Sequence, residues 1–419
     1  MLNPNFHKSV NNLKKMLFLI ILTTPSFTYA ESHDAEITRL QQQIDELKSL
    51  IAEENDKSMI SHETLPKEKL KVISSAQNVK TQVKLYGFIR GDASYQFSGG
   101  NGIFNRINKV DLNGHNENKN RFDSTVTATR LGLDFQSHVL EDVLSGKLEV
   151  DFRGGENSDS MKIRHAYISY NNWLIGQTTS TFLDTNYNPD MIDFGSPLGI
   201  GTKRTPMVRY SDKFNHNTQY SIGLEQGQAN NKLPVLTSKV KHYFSNGKAS
   251  VSVRGLVQEI KDRKIDSQSE LSWGLGVGGN YKITNHLEFK GDYSHVKGDS
   301  TFMLYSNSGY DVNEKNKDLN LNEFDAFAMG ITYKFSSQLQ STLAYGAMFA
   351  DNKNAFAKQA KLEKDDNQNK SLQQGWVNLI YSPITPLSFG IEYIYGERET
   401  FMQEKGRDSR INTMVKYSF

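Results

Sequence analysis

The chain has 419 residues, room for one large domain or two or three average ones, and no cysteine, so disulfides and Cys-ligated metal are excluded. Hydrophobic residues are only 37% and charged ones 23%, a mixture foreign to a bundle of membrane helices but normal for membrane strands, where every second residue faces water. The formal charge is +2 with 49 Lys and Arg against 47 Asp and Glu, far from the basic excess a nucleic-acid partner requires.

In chain order, Lys14 and Lys15 precede the apolar run "MLFLII" at 16–21, and "TYA" precedes Glu31. A charged start, a short apolar middle and small residues before a polar junction predict a secretory signal peptide over residues 1–30. The run is too short to span a bilayer as a helix. Removing it takes away three lysines and no acid, so the formal charge moves from +2 to −1. Next, Ile37, Ile44 and Ile51 recur every seven residues with Leu40 and Leu47 between them, which predicts a short α-helical coiled coil over 31–56. Ile at a with Leu at d leans toward two strands in parallel coils. Residues 57–81, with Pro66 and "KEKLK", read as a polar linker.

From Gln82 the period becomes two. Val83, Leu85, Ile89, Ala93 and Tyr95 share one face, and Lys84, Tyr86, Arg90, Asp92 and Ser94 the other. The alternation predicts sixteen strands: 82–97, 122–135, 145–153, 161–170, 172–177, 204–211, 217–226, 236–244, 248–259, 269–282, 286–297, 323–335, 339–351, 372–381, 387–398 and 408–419. Short connections such as "SNG" and "SPITP" alternate with long ones such as 98–121, 178–203 and 298–322; the exception is the stretch 136–144. Two unlike rims describe an all-β, antiparallel, up-and-down transmembrane barrel over 82–419. Lipid offers no partner to a free backbone amide, so such a sheet must close on itself. Aromatic residues at strand ends, among them Tyr95, Phe97, Tyr333, Phe335, Tyr417 and Phe419, suit the headgroup layer. The last strand is expected to complete the barrel with Phe419 at the short-turn rim, and the leader and coil place that rim in the periplasm.

"VKLYGFIRGDASYQFSGGNGIFNRIN", "TVTATRLGLDF", "GKLEVDFRGG", "IRHAYISYNNWLIGQTTSTF" and "PLGIGTKRTPMVRY" resemble the DcaP-like porins of Gram-negative outer membranes, densely over 83–210 and more loosely beyond. The resemblance implies a homotrimer in outer-membrane lipid and lipopolysaccharide, a periplasmic coil, and uptake of small anionic solutes such as dicarboxylates. It also implies that the terminal Phe419 is read by the outer-membrane assembly machinery. The heptads lean toward two strands, so the trimer rests on the resemblance.

A sixteen-stranded barrel is too wide for side chains to fill, so its polar face lines a channel. By parity the first six strands turn inward Lys84, Arg90, Arg130, Lys147, Arg153, Lys162, Arg164 and Arg209 against Asp92, Asp134, Glu149 and Asp151. This basic excess predicts pore-lining roles for Arg90, Arg130, Arg153, Lys162, Arg164 and Arg209, since cationic walls raise the local anion concentration. The loop "TSTFLDTNYNPDMIDFGSPLGIGTK" is too apolar to lie in water. In resembling porins the third long loop folds inward with acids facing the arginines; here those acids are Asp184, Asp190 and Asp193.

Other motifs are weaker. "WGLGVGG" at 273–279 imitates a dinucleotide fingerprint, but Trp273, Leu275 and Val277 alternate as a strand, and its glycines give the inner wall room. "DVNEKNKDLNLNEFD" at 311–325 lacks the turn glycine of a calcium loop and reads as a solvated outer loop. The histidines show no ligand spacing, and no G-x-S-x-G is present. The chain therefore reads as a non-enzymatic channel without cofactor or metal. The alternatives are an outer-membrane barrel enzyme, a lipase or protease, and a plugged structural or adhesion barrel.

Overall fold

The computed structural model describes residues 73–75, 79–115, 117–139, 142–154, 160–227, 233–244, 247–261, 269–313 and 317–419. The expected signal peptide and coiled coil, and most of the linker, lie outside the described residues.

Sixteen strands build one sheet: β1 (Val79–Ser98), β2 (in two pieces, Arg121–Thr125 and Arg130–Val139), β3 (Asp142–Gly154), β4 (Ser160–Tyr170), β5 (Trp173–Thr179), β6 (Arg204–Asn215), β7 (Thr218–Glu225) and β8 (Val235–Tyr243). They continue as β9 (Ala249–Lys261), β10 (Ser269–Lys282), β11 (Leu287–Lys297), β12 (Glu323–Lys334), β13 (Leu339–Ala350), β14 (Asn369–Ile384), β15 (Leu387–Thr400) and β16 (Lys405–Ser418). Each pairs antiparallel with its sequence neighbour, and β16 pairs back onto β1 from Phe88↔Ser418 to Ser98↔Ser409. The seam ends in a reciprocal backbone pair: Gly87 N–H donates to Phe419 O, and Phe419 N–H to Gly87 O, both at 3.0 Å. The ladder thus has no free edge, the condition lipid imposes.

The stretch 136–144, expected as a nine-residue connection, is instead largely ladder, with Ser137↔Leu144, His138↔Val143 and Val139↔Asp142 in register. Polar side chains hide these residues from a hydrophobic pattern, but the hydrogen bonds that hold them are backbone. Ile73–Ser75, expected in the linker, pairs with Val79–Thr81 for the same reason. In β4 a bulge leaves Arg164 without a partner between Glu149↔His165 and Val150↔Ile163. It sends both Arg164 and His165 toward Glu149 and reverses the parity of the rest of the strand, so that Ile163 and Ile168 are both exposed.

The outward face is apolar and exposed along nearly every strand, for example Leu85, Ile89, Ile175, Val253, Leu343 and Ile391. The predicted strand-end aromatics Tyr95, Phe97, Tyr333, Phe335, Tyr417 and Phe419 all lie on it. The hydrophobic core lies on the other side. Leu256, Val296, Phe324, Met348 and Leu372 of the later strands pack with Ile107 and Val110 of the first long loop, Phe182, Leu183 and Leu198 of the third, and Phe302 and Met303 of the sixth. The segment expected as a solvated outer loop contains a small hairpin, Tyr310–Val312 with Leu319–Leu321, and the second strand of that hairpin is buried. Its Leu-x-Leu alternation supplies an apolar face that the acid- and amide-rich flanks obscured. One α-helix occurs among the described residues, α1 (Ala355–Glu363), capped by Asn354 and packed on Phe401 through Phe356.

Candidate functional site

The third long loop folds into the barrel because the later strands leave a seat for it. At lumen-facing positions they carry glycines whose missing side chains the loop replaces. A Cβ at Gly346 would stand 2.1 Å from Leu198 O, one at Gly330 2.7 Å from Pro189 Cβ, one at Gly390 2.6 Å from Ile192 Cδ1, and one at Gly278 2.7 Å from Tyr187 Cδ2. Gly278 belongs to the "WGLGVGG" motif, whose inner-wall reading the strand and this contact bear out. Polar groups then fix the register. Trp376 Nε1 and Asn378 Nδ2 donate to Asp190 O at 3.3 and 3.1 Å, and the Glu392 carboxylate accepts from Ile192 N–H (2.8 Å) and Asp193 N–H (2.9 Å).

The three loop acids were expected to face the early arginines. The structure pairs them within 4 Å with bases of later strands instead: Asp184 with Lys241 (3.1 Å) and Lys239 (4.0 Å), Asp190 with Lys290 (3.0 Å), and Asp193 with Arg410 (3.6 Å). The reason is the seat, which brings the loop against the later wall. Burial alone would raise the Asp184 carboxyl, but Lys239 and Lys241 outweigh it and hold the group below the usual carboxylate range.

Four of the six predicted lining bases gather on the early wall. The guanidinium carbons of Arg90, Arg130, Arg153 and Arg164 lie 5.4, 5.6, 5.6 and 5.7 Å from the centre of one ring, that of Phe194. Arg153 also stacks on Phe104 at 3.9 Å. Arg90 pairs with Asp92 at 2.6 Å, Arg130 with Glu149 at 3.4 Å, and Arg164 with Glu149 at 3.2 Å and with Asp151. No carboxylate lies within 4 Å of the Arg153 guanidinium among the described residues. Two further cations join: Arg204, whose Nε approaches His165 Nε2 at 3.4 Å, and Lys416, over the Phe88 ring at 5.9 Å. Among the described residues these six cations thus meet three carboxylates of the wall itself, Asp92, Glu149 and Asp151, while Asp193 of the loop acts on Arg153 from beyond 4 Å. The remaining two predicted bases stand apart. Lys162 is exposed opposite Asp151 in the ladder, and Arg209, on β6, makes no ion pair among the described residues.

Sequence reading missed Phe194 as a ligand of the arginines, and it missed Arg204. Inward glycines at 330, 346 and 390, on strands otherwise rich in side chains, were the available sign of the seat. Nothing local marks Phe194, because its role depends on a fold-level approach. Guanidinium groups gathered around an aromatic ring keep N–H donors for other partners, and a guanidinium's paired donors match carboxylate oxygens two by two.

Residues 27–419 match the profile of the DcaP outer membrane protein family. Among solved structures, the chain is similar to the outer membrane channel DcaP of Acinetobacter baumannii, at 40% identity and a TM-score of 0.76 over 81% of this chain and 97% of that one. It also shares its fold with an anion-selective porin from Comamonas acidovorans (TM-score 0.58, 11% identity, 81% and 100% covered). A third likeness is to the trimer form of OmpT from Vibrio cholerae (TM-score 0.54, 15% identity, 81% and 99% covered). No curated protein matches the chain.

Proposed function

This chain belongs to the DcaP outer membrane protein family and is an outer-membrane channel of the porin kind, and we propose that it passes small anionic solutes, dicarboxylates among them, by diffusion through the basic side of its lumen. The observation that carries this reading is the cluster of Arg90, Arg130, Arg153 and Arg164 around Phe194, with Arg204 and Lys416 beside it and, among the described residues, half as many carboxylates on the wall itself. In a wall of low dielectric such an excess draws anions in and repels cations, an effect that salt weakens. Planar forks can hold a carboxylate by two hydrogen bonds, whereas their own acids occupy only part of their donors. The likeness to a porin that is itself anion-selective agrees with this at the level of fold. Assembly as a homotrimer, and recognition of Phe419 by the assembly machinery, belong to the same proposal.

Swelling of proteoliposomes tests it. A small dicarboxylate should enter faster than a neutral solute of equal size, and the double substitution Arg130→Glu with Arg164→Glu should slow the dicarboxylate by roughly tenfold, about 1.4 kcal/mol, while sparing the neutral solute. Equal entry of the two solutes through the unaltered protein would overturn the reading.

A further inference from the structure

Phe194 sits on a turn that is held from every side. The Asp193 carboxylate accepts from Gly195 N–H (2.6 Å), Asn105 N–H (3.0 Å) and Asn412 Nδ2 (2.9 Å), and Ser196 N–H donates to Asp193 O at 3.2 Å. Gly195 has no room for a side chain, since a Cβ would stand 2.7 Å from Asp193 Oδ1 and 2.8 Å from Asn105 N. Ser196, at the end of the turn, has φ +76°, a region that a residue with a Cβ rarely enters. Such a conformation persists only where the surroundings impose it.

The sixth long loop imposes it here. Tyr305 reaches across from a backbone that itself has φ +65°, and its hydroxyl meets Gly195 O at 2.5 Å and Ser196 O at 2.9 Å. Burial, with Asp193 nearby, pushes that hydroxyl well above its ordinary range, so it remains a donor at any working pH. Two non-glycine residues in left-handed geometry thus face each other through one phenol, and the ring they steady is the one the four guanidinium groups surround.

We infer that Phe194 is a fixed aromatic post that keeps Arg90, Arg130, Arg153 and Arg164 apart and edge-on to the lumen, and that Tyr305 is the positioning residue that latches it. Arg90, Arg130 and Arg164 already pair with Asp92 and Glu149, and without the post those acids, with the Ile192 carbonyl for Arg90, are what is left to hold the three guanidinium groups. Without the latch, the post moves and the cluster it organises fluctuates. The selectivity that the arginines confer is then tuned by two residues that carry no charge. The inference rests on the lumen being an open channel and deepens the anion reading, but its test is separable from that reading. A cation-preferring wild type defeats the anion proposal and leaves the coupling between the two residues measurable.

Single-channel recordings on wild type, Tyr305→Phe, Phe194→Leu and the double variant decide it, each first checked for heat-modifiable migration and sheet dichroism. Tyr305→Phe keeps the ring and removes only the hydroxyl. It should raise open-channel noise and shift the anion-to-cation permeability ratio. Phe194→Leu should change that ratio by roughly two- to threefold, the scale of a lost exposed cation–π contact. In the Phe194→Leu background, Tyr305→Phe should shift the ratio no further. Wild-type noise and ratio in Tyr305→Phe would overturn the inference, as would a Tyr305→Phe shift of the same size with and without Phe194. Should Tyr305→Phe fail to assemble, a wild-type ratio in Phe194→Leu overturns the post on its own.

Discussion

The two sides of the lumen solve opposite problems. From β10 to β15 the inner wall is defined by what is missing: Gly278, Gly330, Gly346 and Gly390 leave hollows that the third long loop fills, and Trp376, Asn378 and Glu392 tie its backbone down. From β1 to β4 the wall is defined by what is present, a crowd of arginines with too few acids. A loop carrying three acids could have been drawn to that crowd. Its backbone is seated on the later wall instead, because packing and backbone hydrogen bonds fix it there and later-strand bases pair with its acids; only its tip touches the crowd, where Phe194 lies among the arginines and Arg90 donates to Ile192 O. Shape thus decides where the loop lies, and the proposed selectivity rests on the charges around the space left over.

The largest expected effect comes from breaking the seat electrostatically. Asp193 and Arg410 are almost fully buried, with side-chain exposures of 0% and 2%. Asp193→Ala removes three hydrogen bonds and one side of a buried pair, for which a loss of about 3 kcal/mol is expected. Thermal unfolding in detergent should show it as a lowered transition; a wild-type transition would mean the loop tip contributes little to stability. Overpacking comes next. Gly346→Leu drives a side chain into Leu198 O and should cost about 1–3 kcal/mol, read as raised or unstable conductance from a displaced loop in a barrel that still shows sheet dichroism. Gly91→Leu, where a Cβ meets nothing within 4 Å, is the control and should leave conductance unchanged. If the two variants behave alike, the seat does not hold the loop.

The smallest effect is with pH. The folded Asp184 carboxyl lies below its ordinary value, so the stability it lends the loop is complete above the ordinary carboxylate range and is lost only as pH falls through the lower folded value. Conductance should therefore stay steady from neutrality to about pH 5 and become noisy only in stronger acid. Asp184→Asn should show that noise at neutral pH, and an unsettled wild-type channel already at pH 5 would contradict the assignment.

Much of this was legible in the alternation of residues. All sixteen strands and the cationic early wall follow from period and parity, because a lipid-facing strand must keep its pattern throughout; the inward turn of the third loop came from its apolar composition and from the family resemblance. What escaped has physical reasons. Parity across β4 slipped at the bulge beside Arg164, which nothing in "KIRHAYI" announces. Ser137 and His138 belong to a ladder that polar side chains concealed. The partners of Asp184, Asp190 and Asp193 could not be assigned, since choosing between two walls requires knowing which wall has room. Inward glycines held that answer, but a glycine in a strand is as often a bend as a seat.

On the proposed function, the field of the channel is set by the basic early wall, where four arginines surround Phe194. The reversal potential across a planar bilayer under a salt gradient measures it most directly, on the unaltered protein beside Arg130→Glu with Arg164→Glu. The potential should have the anion-selective sign, shrink or invert in the double variant, and fade at high salt. The same potential from both proteins, or a cation-selective sign in the unaltered one, would contradict it.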